Sequence, residues 1–451
     1  MATLNTIQSL VFEKYKNGEN VFLTGPGGSG KSFLIKTIVQ DANENNDKIQ
    51  VCALTGCASI LLNCKATTLH RFAGFGLANK SIENILEELF TKKRYKLKNW
   101  YNLKCLIIDE VSMMSLKLLL ILDAIARKVY RKPNLPFGGL QVIFSGDFYQ
   151  LPPVNCNDEE KEASMFCFDH ELWNQLFPKE NQILLTSIFR QEEEDFLKIL
   201  KYVRQGRITH STKALLESRI FKKEELEEIR KNKVLTIINP HKRDSDFINA
   251  KSYSELPKDV EKHIYNIKYL KNNSKKKPET LEDSLNDLLI ASNTSLKHDY
   301  EFLANNIMAE QTLELKIGTH VMCIANIDLD SVNQIANGSQ GIVIGFENEL
   351  PLVKFNNINE HMIIGHHIWN SETNKNVCVS QIPLIYAWAI TIHKAQGVTL
   401  DGAIMDIGKN IFEYGQTYVA LSRVKSLQGL YLTSFDYTKI MANPKVKKFY
   451  V

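Results

Sequence analysis

The chain has 451 residues, 44% hydrophobic and 24% charged, with a formal net charge of +4, which is enough material for two or three globular domains with substantial cores. No apolar run reaches the length of a membrane span, and the opening MATLNTIQSL lacks the basic and apolar regions of a signal peptide, so a membrane-free intracellular protein, cytoplasmic or nuclear and without a mitochondrial presequence, is expected. The mild positive charge permits a nucleic-acid partner without demanding one, and the eight cysteines, with no C-x-x-C pairing, read as reduced core thiols rather than a zinc site.

The first informative segment is FLTGPGGSGKS, residues 22–32. It fits G-x-x-x-x-G-K-[ST], with Gly25 and Gly30 as outer glycines, Gly27, Gly28 and Ser29 between them, and Lys31 and Ser32 closing the motif. Glycines admit backbone angles that let successive N–H groups turn onto phosphate oxygens at a helix N-terminus. Lys31 is then the cation for the β and γ phosphates and Ser32 a Mg²⁺ ligand. NVFLT before the loop predicts a buried strand, and SFLIKTIVQDA after it a helix.

Further along, IQVCALT, CLIIDE and LQVIFSG are short Val/Ile/Leu-rich runs separated by helical stretches. That alternation predicts a parallel sheet covered on both faces, a first α/β domain over 1–180 with a small insertion at about 73–100. CLIIDEVSM sets Asp109 and Glu110 at the end of one strand. A carboxylate there can hold Mg²⁺ and a following glutamate can polarise water, so the adjacent pair favours hydrolysis over transfer to another substrate. VIFSGDFYQLPPV repeats the arrangement and offers Gln150 as a γ-phosphate sensor.

From residue 181 strands resume with QILLTS and VLTIINP and later YAWAIT, GAIMDI and GLYLTSF, predicting a second α/β domain over 181–451 without a phosphate loop. It is interrupted twice. Residues 268–300, beginning KYLKNNSKKKPETLEDS, read as a flexible loop whose Lys275, Lys276 and Lys277 either grip phosphate or are simply solvated. GTHVMCIAN, NGSQGIVIGF and PLVKF alternate in strand fashion around glycine turns, predicting a small β-barrel over about 318–380. Arg190 in SIFRQ and Arg423 in VALSRV, both expected in the second domain, are either surface ion-pair partners or forks for transition-state phosphate oxygens.

The ordered series GPGGSGKS, IIDEVSM, SGDFYQLPPV, LTSIFRQ, AITIHKAQGVTLD and YVALSRVKSLQGLYL resembles the motif set of superfamily-one DNA helicases of the 5′-to-3′, RecD-like branch. More narrowly, LDAIARKVYRKPNLPFGGLQ, residues 122–141, resembles the signature segment of the PIF-type helicases. The match runs from Gln8 to about Ser434. It implies two RecA-like domains with an SH3-like barrel inserted, ATP and Mg²⁺ as cofactors, and catalytic roles for Lys31, Asp109, Glu110, Gln150, Arg190 and Arg423. Gln8 and Gly397 join the nucleotide-binding set. The resemblance assigns DNA contacts to Thr55, His70 and Phe72 in the first domain and to Thr391, His393, Lys394 and Thr399 in the second, with Phe72 or Phe148 stacking on a base. Cys57 and Ser59 depart from the small apolar residues usual there.

What the resemblance implies is an ATP-dependent 5′-to-3′ helicase acting as a monomer on single-stranded and forked duplex DNA. The roles that go with it are replication, repair, recombination and telomere maintenance, with possible replication or repair proteins as partners. Two alternatives stay open: a translocase that needs a partner to unwind, and an ATP-gated DNA-binding protein. In the helicase reading ATP is clamped between the two domains, and closure and opening move two DNA grips relative to one another.

Overall fold

The computed structural model describes residues 4–62, 64–75, 78, 80–153, 161–271, 279–280, 294–327, 335–356, 358–371, 374 and 376–451. The chain divides into two compact units, Met1–Gln191 with Ala442–Val451, and Glu192–Met441.

The first unit is built on six parallel strands: β1 Val21–Thr24, β2 Ile49–Ala53, β3 Thr67–Thr68, β4 Cys105–Asp109, β5 Gln141–Gly146 and β6 Gln182–Leu184. Their order is β3-β2-β4-β5-β1-β6. Because successive side chains of a strand point to opposite faces, each apolar run fills two layers. Cys105 and Ile107 of β4 pack with Val21, Leu23, Val51 and Ile143 beneath helices α1 (Thr6–Lys16) and α2 (Lys31–Glu44). Leu106 and Ile108 pack with Phe22, Val142 and Phe144 on the other face. The expected insertion supplies the helix Ile82–Thr91, capped by the Ser81 hydroxyl. It buries Ile85 and Leu89 in this second layer, which Ala442 and Val446 also enter.

The unit boundary corrects the sequence reading. QILLTS does not open the second domain: β6 pairs in parallel with β1, Thr24 opposite Leu184, and completes the first sheet. Arg190 therefore belongs to the first unit.

In the second unit, Ala389–Thr391, Thr236–Asn239, Ala403–Ile407 and Leu430–Phe435 form a four-stranded parallel sheet in that order. Where a small barrel is expected, His361–Ile363, Leu350–Phe355, Gln340–Glu347, His320–Cys323 and Leu384–Tyr386 form an antiparallel sheet in open order. Its core unites Val321, Val343, Val353 and Phe355 with Leu313 and Leu315. The expected 268–300 loop is partly regular structure. Lys268–Lys271 pairs antiparallel with Val377–Gln381, and Thr294–Asn306 is helical. Lys275, Lys276 and Lys277 lie outside the described residues. Among the described residues no helix is long and apolar enough to cross a membrane.

Candidate functional site

Ligands of parallel α/β sheets sit beyond the carboxyl ends of the strands, and the sequence-predicted residues of the first unit emerge there. β1 runs into Gly25, β2 into Thr55, β4 ends in Asp109, β5 leads to Gln150 and β6 to Arg190. Thr24 of β1 stands opposite Gly146 of β5, so the phosphate loop and the Gln150 loop start as neighbours.

The phosphate loop has the backbone its glycines allow. Gly28 and Gly30 take φ of 81° and 88°, and Gly30 is the N-cap of α2. At Gly25 a Cβ would lie 2.7 Å from the Leu185 carbonyl and 2.8 Å from Ser29 Oγ, so the loop closes on itself with no room for a side chain. Lys31 Nζ donates to the carbonyls of Gly25 at 2.7 Å and Pro26 at 3.1 Å, which folds the ammonium back over the loop. Ser32 is exposed on the first turn of α2. Gln8 is buried; its Oε1 caps the start of α1 by accepting from Asn5 N–H, and a Cβ at Gly30 would lie 2.8 Å from its Nε2. Gln8 thus reaches the phosphate loop because α1 packs beside β1 and α2.

Asp109 is buried at the end of β4, and burial pushes its carboxyl above the ordinary aspartate range; the Ser145 hydroxyl and the charge of Lys31 pull the other way. Glu110 follows in the left-handed region, φ 59° and ψ 38°. A non-glycine residue pays for that backbone, and such strain collects at functional sites. Gly146 makes the turn possible, since a Cβ there would meet Val111 N at 2.9 Å. Gln150 is buried, and its loop is closed by its own N–H donating to the Asp147 carbonyl at 2.8 Å, with Tyr149 N–H on Asp147 Oδ1 at 3.2 Å. Ser145 and Asp147 escaped the sequence reading; their signal was a serine and an aspartate interrupting the apolar VIFSGDF run.

Arg190 is held against the phosphate loop: the Phe189 N–H donates to the Gly28 carbonyl at 2.9 Å, and a Cβ on Gly28 would fall 2.5 Å from the Arg190 Cβ. Arg423 is placed otherwise. It is buried in the second unit, where Nε donates to Val419 O at 2.7 Å, Nη1 to Ala395 O at 3.3 Å and Nη2 to Ser422 Oγ at 2.6 Å. Its fork is engaged in its own unit.

Two of the expected DNA contacts are core residues. Phe72 packs on Trp100 with centroids 4.7 Å apart, and Phe148 lies among Phe22, Phe168, Trp173 and Phe449. Both are 2% exposed, so neither ring is available to stack on a base. His70, on the short helix Leu69–Ala73, is held below the ordinary histidine range by burial. Thr55 Oγ1 caps the helix Gly56–Leu62, accepting from Ala58 N–H at 3.2 Å. In the second unit Thr391 caps Ile392–Ala395, its Oγ1 accepting from Lys394 N–H at 3.1 Å, and this turn exposes His393 and Lys394. Gly397 follows with φ 83°. Thr399 is half-buried beneath Gly338, whose missing Cβ leaves room for the Thr399 carbonyl.

A glycine-rich G-x-x-x-x-G-K-S loop after β1, a strand-terminal carboxylate pair on β4 and the Gln150 loop after β5 define a parallel-sheet protein of the P-loop class. Comparison with known proteins narrows this. Residues 3–214 match the model of the PIF1-like helicase family and residues 300–346 that of the 2B domain of DNA helicase Pif1. The chain is 34% identical to the ATP-dependent DNA helicase PIF1 of Xenopus laevis over 99% of its own length and 64% of the frog protein. It is 30% identical to the crystal structure of Pif1 helicase from Candida albicans, covering 100% of this chain and 99% of that one with a TM-score of 0.70. A Bacteroides Pif1 helicase in complex with ADP-AlF3 and single-stranded DNA is 28% identical, with coverage of 100% and 97% and a TM-score of 0.62. The chain belongs to the PIF1-like helicase family. It spans less than two thirds of the length of the first curated relatives it matches.

Proposed function

We propose that the chain is an ATP-dependent DNA helicase that moves 5′ to 3′ along a single strand and opens forked duplex, in DNA replication, repair or recombination. The observation that carries this reading is the convergence of Lys31, Asp109, Glu110, Gln150 and Arg190 on one edge of a single sheet. The Bacteroides relative, bound to both ADP-AlF3 and single-stranded DNA, supports it.

In this reading the N–H groups around Gly28 and Gly30 hold phosphate oxygens, and Lys31 exchanges its loop carbonyls for the β and γ phosphates. A Mg²⁺ ion fits the donor set, because a buried carboxylate whose charge is penalised gains from a cation; Ser32 and Asp109 would hold it, and it would neutralise developing phosphate charge. Glu110 orients a water on the γ phosphorus and takes its proton. Gln150 senses the γ phosphate, and Arg190 stabilises transition-state charge. In the second unit His393 and Lys394 grip DNA phosphates on a turn fixed by Thr391, and sequence-independent contacts of this kind suit a motor.

The test is ATP hydrolysis with and without single-stranded DNA, followed by unwinding of duplexes carrying only a 5′ or only a 3′ tail. DNA-stimulated hydrolysis with unwinding from the 5′ tail alone is expected. Hydrolysis with strand movement but no unwinding makes the chain a partner-dependent translocase, and DNA binding without turnover makes it an ATP-gated binding protein.

A further inference from the structure

The segment Ala442–Val451 is part of the first unit, and it delivers a side chain to the carboxyl edge of the sheet between β1 and β5. Tyr450 Oη lies 2.6 Å from Thr24 Oγ1 and accepts from the Phe148 N–H at 3.2 Å. Its ring stacks on Tyr149, with centroids 4.9 Å apart and planes 13° from parallel. Thr24 immediately precedes Gly25, and Phe148 and Tyr149 immediately precede Gln150. One tyrosine therefore joins the root of the phosphate loop to the root of the sensor loop.

The position matters because strand pairing stops there. Thr24 opposite Gly146 is the last rung between β1 and β5. Beyond it, the separation of Gly25 from Gln150 depends on side chains that bridge the two loops. Tyr450 is itself well anchored. Phe449 packs on Phe168 at 4.5 Å and on Phe148 at 5.2 Å, Val446 is fully buried, and Lys445 pairs with Asp169 at 2.8 Å. Buried donors and acceptors left without partners are costly, so the Phe148 N–H and the Thr24 hydroxyl hold the phenol in one place.

We propose that Tyr450 is a positioning residue for hydrolysis, setting the distance of Gln150 from the phosphate loop; the proposal rests on the reading of Gln150 as γ-phosphate sensor. Tyr450→Phe keeps the ring and its packing and removes only the hydroxyl. The measurements are kcat and KM for DNA-stimulated hydrolysis and the affinities for ADP and a non-hydrolysable ATP analogue. They are made on the full chain and on Tyr450→Phe, Gln150→Ala and the double variant, with melting temperatures on the same samples. Tyr450→Phe is expected to lower kcat roughly three- to tenfold, the loss of one well-placed hydrogen bond. It should weaken the analogue but not ADP, which has no γ phosphate, and add nothing to Gln150→Ala.

Wild-type kcat and analogue affinity in Tyr450→Phe overturn the proposal. So does an equal loss for ADP and analogue accompanied by a lower melting temperature, the signature of packing alone, and so does a full additional loss on top of Gln150→Ala. A wild-type chain that hydrolyses no ATP in the presence of DNA overturns the parent reading and this proposal with it, a result readily told from an active chain indifferent to Tyr450→Phe.

Discussion

Gly28 and Arg190 touch across the phosphate loop: any side chain at 28 would start 2.5 Å from the Arg190 Cβ, and the Phe189 N–H ties the same segment to the Gly28 carbonyl at 2.9 Å. Gly28 also sits at φ 81°, where a β-carbon costs about 1–2 kcal/mol. Gly28→Ala is therefore expected to displace Arg190 and lower kcat at least tenfold, while a domain of this size tolerates the strain. Hydrolysis assays on Gly28→Ala and Arg190→Ala should give losses of the same kind. Wild-type turnover in Gly28→Ala would show that the arginine does not need this seat.

Lys31 and Glu110 separate binding from chemistry. Lys31 Nζ donates to the loop carbonyls of Gly25 and Pro26 rather than packing in the core, so Lys31→Ala should abolish hydrolysis with a melting temperature close to wild type. Glu110→Gln should bind ATP normally, turn over slower by about 10² or more, and stay on single-stranded DNA in the ATP state. Equilibrium nucleotide binding beside single-turnover hydrolysis makes the distinction, and unchanged turnover in Glu110→Gln moves the general base elsewhere.

Asp109 predicts a stability that depends on pH in an unusual direction. Its carboxyl is raised in the fold by burial, so the folded chain binds that proton more tightly than the unfolded chain. The stability it contributes is present at acid pH and is lost as pH rises from the ordinary aspartate range through the raised value. Asp109→Asn should accordingly melt above wild type near neutral pH, the margin shrinking as the pH is lowered. The same variant should lose Mg²⁺-dependent hydrolysis and the extra thermal protection that Mg²⁺ with ATP confers on wild type. A variant that melts below wild type at neutral pH contradicts the burial argument.

Those residues were legible in the sequence because their backbone context is local: a glycine loop between a strand and a helix, or carboxylates at the end of an apolar run. What misled was long-range. QILLTS has a strand's composition, but nothing in it says which sheet it joins, and β6 sides with β1. Phe72 and Phe148 sit in motifs whose neighbours are expected to face ligands, yet their rings fill the layer around Trp100 and Trp173. Aromatic residues supply both core and stacking surface, and spacing alone does not separate the two. Tyr450 gave no signal at all, since its partners Thr24 and Phe148 lie hundreds of residues earlier.

Arg423 and the turn that presents His393 and Lys394 form one mechanical unit. The Arg423 fork holds Val419 O, Ser422 Oγ and Ala395 O, the last being the carbonyl that ends the Ile392–Ala395 helix, while the Arg423 carbonyl accepts from Leu400 N–H at 2.8 Å. Removing the buried guanidinium deletes these charge-assisted hydrogen bonds and the packing of a large side chain, at a cost of about 3 kcal/mol, although Ala395 O keeps the Val398 N–H and Val419 O keeps the Ser422 hydroxyl. Arg423→Ala should therefore lower the melting temperature and, by loosening the turn, weaken single-strand binding. Replacing His393 and Lys394 with alanine should weaken binding as well, but without the loss of stability, because both side chains are exposed. The salt dependence of binding distinguishes the two routes. If Lys394 contacts a phosphate as proposed, its removal should flatten the plot of log affinity against log salt by roughly 0.7, the value for one phosphate contact on a single strand. Arg423→Ala, in which Lys394 is still present, should bind more weakly on a slope much closer to wild type. If Arg423→Ala instead melts like wild type and binds DNA normally while kcat collapses, the buried bonds are dispensable and the arginine serves the phosphates directly.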